Sequence, residues 1–165
     1  MIVVPLTLLL ILFFLWLAFG EMTSAMMIFL NVPFAVTGGI IFLFLRSIPF
    51  SISAGVGFIA LFGVAVLNGL VLISFAKDEE LSGKTHREGI LSAAHLRLRP
   101  VLTTAIVAAI GFIPMALSTS MGAEVQRPLA TVVIGGLISS SILTLLGMPA
   151  IYTLYFERRK KILFP

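Results

Sequence analysis

"GVAVLNGLVLISFAKDEE", residues 63–80, stays apolar up to Ala76 and turns into charge at Lys77. One amide, Asn68, interrupts it between Leu67 and Gly69. An apolar run ending in a block of charge is the pattern of a helix leaving a bilayer. Read backwards, the stretch carries no charge as far as residue 49. That is more than the roughly 20 residues needed to cross a hydrocarbon core.

The rest of the chain repeats this pattern. Of its 165 residues, 59% are hydrophobic and 11% charged, against about 45–50% and about 25% in an average soluble domain. Uncharged stretches lie at residues 2–19, 23–45, 49–76, 100–122 and 128–156. Lipid offers backbone groups no partner, so a spanning segment is a helix or a strand of a closed barrel. These runs are too long and continuous for strands. The expected fold class is all-α, a polytopic membrane helix bundle of five transmembrane helices. Pro33, Pro114 and Pro149 fall inside or near the ends of spans, where membrane helices tolerate them.

Orientation follows from the basic residues. Segment 77–99 and the run at 158–161 hold nine of the eleven Lys and Arg. Two spans separate the segments, so both face one side, and the positive-inside rule makes it the cytoplasm. Counting back places the N-terminus in the periplasm and the C-terminus in the cytoplasm. Residues 1–4 lack the basic start of a signal peptide. An outward start without such a guide points to a longer protein of which this chain is the tail.

The chemistry-bearing residues are few. The chain has no cysteine, which removes disulfides, thiolate metal sites and cysteine nucleophiles. No Asp, Glu, Lys or Arg falls inside the five spans, although such residues mark proton and ion paths in membranes. No H-E-x-x-H, P-loop or Ser–His pair is present, so no enzymatic activity, metal site or cofactor is expected. The net charge of +4 does not imply nucleic acid, because the basic residues of 77–99 are interleaved with Asp78, Glu79, Glu80 and Glu88.

The Ser and Thr residues of the spans are expected to bond their own backbone or a neighbouring helix. Asn68 is different, because a buried amide has four hydrogen-bonding positions to satisfy. Two readings of it stand open: an interhelical clasp, or a neighbour of a proton path whose acids lie on other helices. Small residues spaced four apart, Ala65/Gly69, Ala105/Ala109 and Gly135/Ser139, predict close helix packing. The seven methionines read as gap fillers. "THREGILSAAHLRLRP", residues 85–100, predicts a short helix lying on the membrane surface, with Ile90, Leu91, Ala94 and Leu98 near one face. His86 and His95 read as solvated loop residues.

Three stretches carry a resemblance. They are "NVPFAVTGGIIFLFLRSIPFSISAGVGFIALFGVAVLNGLVLISF" (31–75), "RLRPVLTTAIVAAIGFIPMAL" (97–117) and "EVQRPLATVVIGGLISSSILTLLGMPAIY" (124–152). In this order and spacing they resemble the resistance-nodulation-cell division (RND) efflux pumps, in particular the heavy-metal branch of the cobalt-zinc-cadmium type. The resemblance implies that the chain is the C-terminal half of the transmembrane domain, the last five of twelve helices. A periplasmic domain and a first helix repeat would precede it. It implies proton antiport in the bacterial inner membrane, and a homotrimer working with a periplasmic adaptor and an outer-membrane channel.

The same resemblance implies site residues. Multidrug members place Lys, and some metal pumps Glu, at the position of Leu67; here Leu67 is followed by Asn68. Arg97 and Thr104 match an Arg and a Thr that support the proton relay in multidrug members. Gln126 follows Glu124 and Val125 where copper and silver pumps tend to carry Met, which favours divalent zinc, cobalt or cadmium as cargo. The expected relay-supporting set is therefore Asn68, Arg97 and Thr104, with no metal ligand in this chain. Two other readings compete: an RND-type exporter of organic substrates, and a stand-alone five-helix membrane protein with a structural or regulatory role.

Overall fold

The structure, a computed structural model, describes residues 3–163, and the side chains of residues 5–156. The basic run at 158–161 lies outside the residues whose side chains are described, and residue 2, where the first span was expected to start, lies outside the described chain. The described chain is all-α. Helices α1 (Val3–Phe19), α2 (Met22–Phe29), α3 (Asn31–Leu45), α4 (Ile52–Leu81), α5 (His86–Leu117), α6 (Ala123–Ile142) and α7 (Met148–Leu163) follow one another, and a π turn, Leu143–Gly147, joins the last two.

Four helical stretches are long and apolar enough to cross a membrane: Met22–Leu45, Ile52–Leu81, His86–Leu117 and Ala123–Phe156. With 17 residues, α1 is at the lower limit for a fifth span. The expected second span is one element broken at Leu30, between α2 and α3. The wide turn at 143–147 lies just before Pro149. Proline has no N–H, and its ring crowds the carbonyl four residues back, so a looser turn relieves the helix there.

The separate surface helix expected within 77–99 does not form. α4 continues to Leu81, the chain reverses over residues 82–85, and α5 runs unbroken through Pro100 and Pro114. A capping box explains the sharp restart. Thr85 Oγ1 accepts from the Glu88 N–H at 3.3 Å, and Glu88 accepts from the Thr85 N–H at 3.0 Å. At 1.5 Å per residue the 32 residues of α5 measure about 48 Å, well beyond a core of about 30 Å. Of the residues expected to share its membrane-facing side, Ile90 turns into the bundle instead. Gly89, Ile90 and Ala93 are buried, whereas Leu91 and Leu98 are exposed. Gly89 allows this, because its Cα packs beside the Ala76 carbonyl. His86 is not a loop residue: it opens α5, stacks on Phe156 with ring centroids 4.3 Å apart, and brings Nδ1 to 2.9 Å from Glu80. His95 is helical and exposed.

Helices here associate without a hydrophobic drive, so close van der Waals approach has to hold them. α6 is the centre. A methyl on Gly38 of α3 would stand 2.0 Å from Ser139 Oγ and 2.6 Å from the Gly135 carbonyl, and one on Gly57 of α4 would stand 3.0 Å from the Leu129 carbonyl. The Gly135/Ser139 and Ala65/Gly69 pairs therefore lie at packed faces, as their spacing predicts. Ala105 and Ala109 instead line open grooves. One buried cluster joins α3, α4 and α6 around Leu61, Val132 and Leu137. A second joins α1, α2, α4, α5 and α7 around Ile28, Leu72, Ile90 and Tyr152. Of the methionines, Met27 and Met148 are buried in this second cluster.

Polar contacts mark the two ends of the bundle. At one end Lys77 pairs with Glu21 at 3.1 Å, Lys84 pairs with Glu79, and Tyr152 donates to Glu80 at 2.7 Å. At the other, Arg46 donates to Thr131 at 2.9 Å. The turn after α1, the turn after α4 and the C-terminal part of α7 thus share the charged end, in keeping with an alternating path through a bilayer.

Candidate functional site

Asn68 lies on the side of α4 that faces α5 and α6. There it lines a groove of about 580 Å³ with Thr103 and Thr104 of α5 and Ser141 of α6. The remaining walls are apolar and include Leu61, Val64, Val107 and Leu137. A few polar groups converging in an apolar cleft of this size are what ligand and ion paths in proteins use.

The hydrogen bonding of these four residues is unequal. Thr104 Oγ1 donates back to the Pro100 carbonyl at 2.8 Å, and Thr103 Oγ1 to the Arg99 carbonyl at 2.8 Å. A hydroxyl that has spent its proton on its own backbone keeps acceptor lone pairs for the groove. Ser141 Oγ is buried without a partner among the described residues. Asn68, half-buried, makes no hydrogen bond among the described residues. The interhelical clasp, one of the two readings of this amide, is not made among the described residues.

Of the three residues expected to act together, the structure brings two into one groove. Arg97 does not line it. Its guanidinium lies over the Phe75 ring, 4.7 Å from the centroid. Arg97 and Thr104 are seven residues apart on α5, as are Phe75 and Asn68 on α4, so the cation stands about two turns, about 11 Å, toward the charged end. Leu67, at the position where relatives were expected to carry a charge, is 59% exposed.

The other span hydroxyls bond largely to backbone, as expected: Thr37 to the Phe34 carbonyl, Ser139 to the Phe34 and Gly136 carbonyls, and Ser140 to that of Leu137. Ser141 was hidden among three consecutive serines, and only the packing of α6 shows which one faces the groove. Also missed was the chain of contacts Tyr152–Glu80–His86–Phe156, which joins three helices and has no spacing signature. Among the described residues no group of three or more His, Cys, Asp or Glu could hold a metal.

α5 is the least buried of the four long spans. Ile106, Val107, Ile110 and Ile113 on it are exposed, so the groove borders on a broad uncovered apolar face.

Comparison with known proteins agrees with this architecture. The sequence model of the AcrB/AcrD/AcrF family matches residues 1–156. Protein HelA of Legionella pneumophila is 56% identical over 97% of this chain, which corresponds to 15% of that protein. The cobalt-zinc-cadmium resistance protein CzcA of Cupriavidus metallidurans is 54% identical over 93% of the chain and 14% of its own length. A crystal structure of a heavy metal efflux pump (crystal form II) superposes with a TM-score of 0.81 at 43% identity, covering 93% of this chain and 15% of that one. The chain thus spans about a seventh of the relatives it matches. With its apolar spans, glycine-packed bundle and family match over residues 1–156, this multi-pass membrane protein belongs to the AcrB/AcrD/AcrF family of RND efflux proteins.

Proposed function

We propose that the chain is the C-terminal membrane portion of a proton-driven transporter that exports heavy-metal cations, of the divalent zinc, cobalt and cadmium class, across the bacterial inner membrane. The observation that carries this reading is Asn68. Its amide faces a groove beside an uncovered helix, with no partner among the described residues. A polar group in lipid is costly unless satisfied. Its partner therefore comes from outside this chain, from the first helix repeat of the same protein.

In this reading the relay acids are supplied by the missing repeat. Asn68 donates to or accepts from them according to their protonation, and Thr104 offers its free lone pairs. Arg97 contributes positive charge from two turns away, which favours the ionised form of a nearby acid. The N-terminus faces the periplasm and the C-terminus the cytoplasm, in line with nine of eleven basic residues at one end. The complete protein would include a periplasmic domain before residue 1 and assemble as a homotrimer with an adaptor and an outer-membrane channel. The bearing of relatives whose names include cobalt, zinc and cadmium resistance supports the cargo class.

The test is complementation. A strain lacking the whole transporter gene is expected to regain growth on zinc, cobalt or cadmium when the complete gene is returned. Regained tolerance to organic toxicants, with metal sensitivity unchanged, would overturn the metal reading in favour of an organic exporter.

A further inference from the structure

Asn31 is the other spanning amide, and the groove does not use it. It opens α3 directly after the break at Leu30, and it is fully buried. Its Oδ1 accepts from Thr144 Oγ1 at 3.4 Å, and Thr144 belongs to the wide turn that joins α6 and α7. Its Nδ2 has no acceptor among the described residues. That nitrogen lies instead against α4, at Gly69. A methyl on Gly69 would stand 2.3 Å from Nδ2 and 3.2 Å from Ile28 Cγ2. One amide is thus wedged between two irregularities of the bundle and the residue next to Asn68.

A buried donor without an acceptor is unfavourable, and an apolar side chain of similar volume would avoid it. What the amide supplies is a fixed relation among three elements. Full burial between Thr144 and Gly69 holds its orientation, and the contact at Gly69 limits how closely and at what rotation α4 approaches. Successive residues on a helix are turned by about 100°. A contact fixed at Gly69 therefore fixes where Asn68 points, which is into the groove shared with Thr104 and Ser141.

We propose that Asn31 is a positioning residue: keyed between Thr144 and Gly69, it sets the depth and rotation of α4 and so aims Asn68 into the groove. Its consequence for transport rests on the relay reading of Asn68 given above.

The test is a size swap read by cross-linking. This chain holds no cysteine, so cysteines at positions 68 and 104 can be introduced into the complete transporter, freed of cysteine elsewhere. A short bifunctional thiol reagent bridges them, and a protease site in the 82–85 turn separates α4 from α5 unless they are bridged. Gly69→Ala is expected to lower bridging several-fold, because its methyl collides with the Asn31 amide. Asn31→Ala, which adds no bulk, is expected to lower it less. The double variant Asn31→Ala/Gly69→Ala is expected to return to the level of Asn31→Ala alone. Normal bridging in Gly69→Ala or in Asn31→Ala, or a double variant no better than Gly69→Ala, overturns the proposal. Metal export, measured in the same size-swap variants with Asn68 in place, separates the two readings. Bridging that follows this pattern while export stays normal upholds the placement of α4 and removes the relay role of Asn68. Unaltered bridging in Gly69→Ala, together with export lost in Asn68→Leu, overturns the placement and keeps the relay.

Discussion

At the scale of single residues, the glycines show most directly how this bundle is held. Gly38 and Gly63 look alike in sequence, each a glycine in an apolar helix, yet their surroundings differ. At Gly38 a Cβ would meet the Ser139 hydroxyl and the Gly135 carbonyl, while at Gly63 nothing lies within 4 Å. Gly38→Ala is therefore expected to destabilise the bundle by about 1–3 kcal/mol, the cost of overpacking. Gly63→Ala is expected to be neutral or to stabilise slightly, because alanine is the better helix former by up to about 1 kcal/mol. Thermal unfolding of the two variants in detergent compares them. An equal loss in both would mean that close approach at α6 is not what holds the bundle. Asn68 belongs to this scale too. Its amide makes no bond among the described residues, so Asn68→Leu is expected to leave the amount of folded protein in the membrane unchanged. A sharp fall in that amount would assign Asn68 to packing instead.

At the scale of elements, the turn between α4 and α5 is set by Thr85 and Glu88. Thr85→Ala removes the cap and is expected to cost about 1 kcal/mol, seen as faster amide exchange in the first turn of α5. Exchange unchanged there would show that packing at Gly89, and not the cap, fixes the helix start. Tyr152→Phe removes the bond to Glu80. With a charged acceptor it is expected to cost about 1–3 kcal/mol and to loosen α7 at the charged end, where limited proteolysis reports it.

These elements also show what the sequence made legible. Charge punctuation located the spans, because lipid penalises charge and Glu21, Arg46, segment 77–99, Glu124 and Arg127 could not be inside. It could not locate the helix ends. α4 and α5 run on into the charged region, where capping and interhelical contacts decide the boundary, and a proline at residue 100 did not stop α5. The groove was half legible. Asn68 stood out as an amide in an apolar run, and Thr104 was found through resemblance. Ser141 was hidden in a serine run, and the Asn31–Thr144 contact joins residues 113 positions apart with no pattern connecting them. The packed small-residue faces at Gly135/Ser139 and Ala65/Gly69 were readable from spacing. Ala105/Ala109 had the same spacing but lines a groove, because spacing marks a face that permits close approach without saying what approaches it.

At the scale of the whole molecule, the bundle is closed around α6 and open along α5. Its ends carry distinct chemistry, with Lys77, Glu80, Lys84 and His86 at one and Arg46 at the other. Orientation is therefore testable with single cysteines in a cysteine-free background. Ser82→Cys is expected to react with an impermeant thiol reagent only from the cytoplasmic side, and Thr119→Cys only from the periplasmic side. The opposite labelling would reverse the proposed topology.

In the proposed mechanism the Asn68 amide is completed by a polar partner from the rest of the transporter and is needed for proton-coupled export. The most direct measurement is zinc uptake into inside-out membrane vesicles under an imposed proton gradient, comparing the complete transporter with its Asn68→Leu variant at equal protein amounts. Uptake that falls several-fold in the variant, with the protein still folded, is the predicted result. Uptake at the level of the unaltered transporter would overturn this mechanism and leave Asn68 as a packing residue.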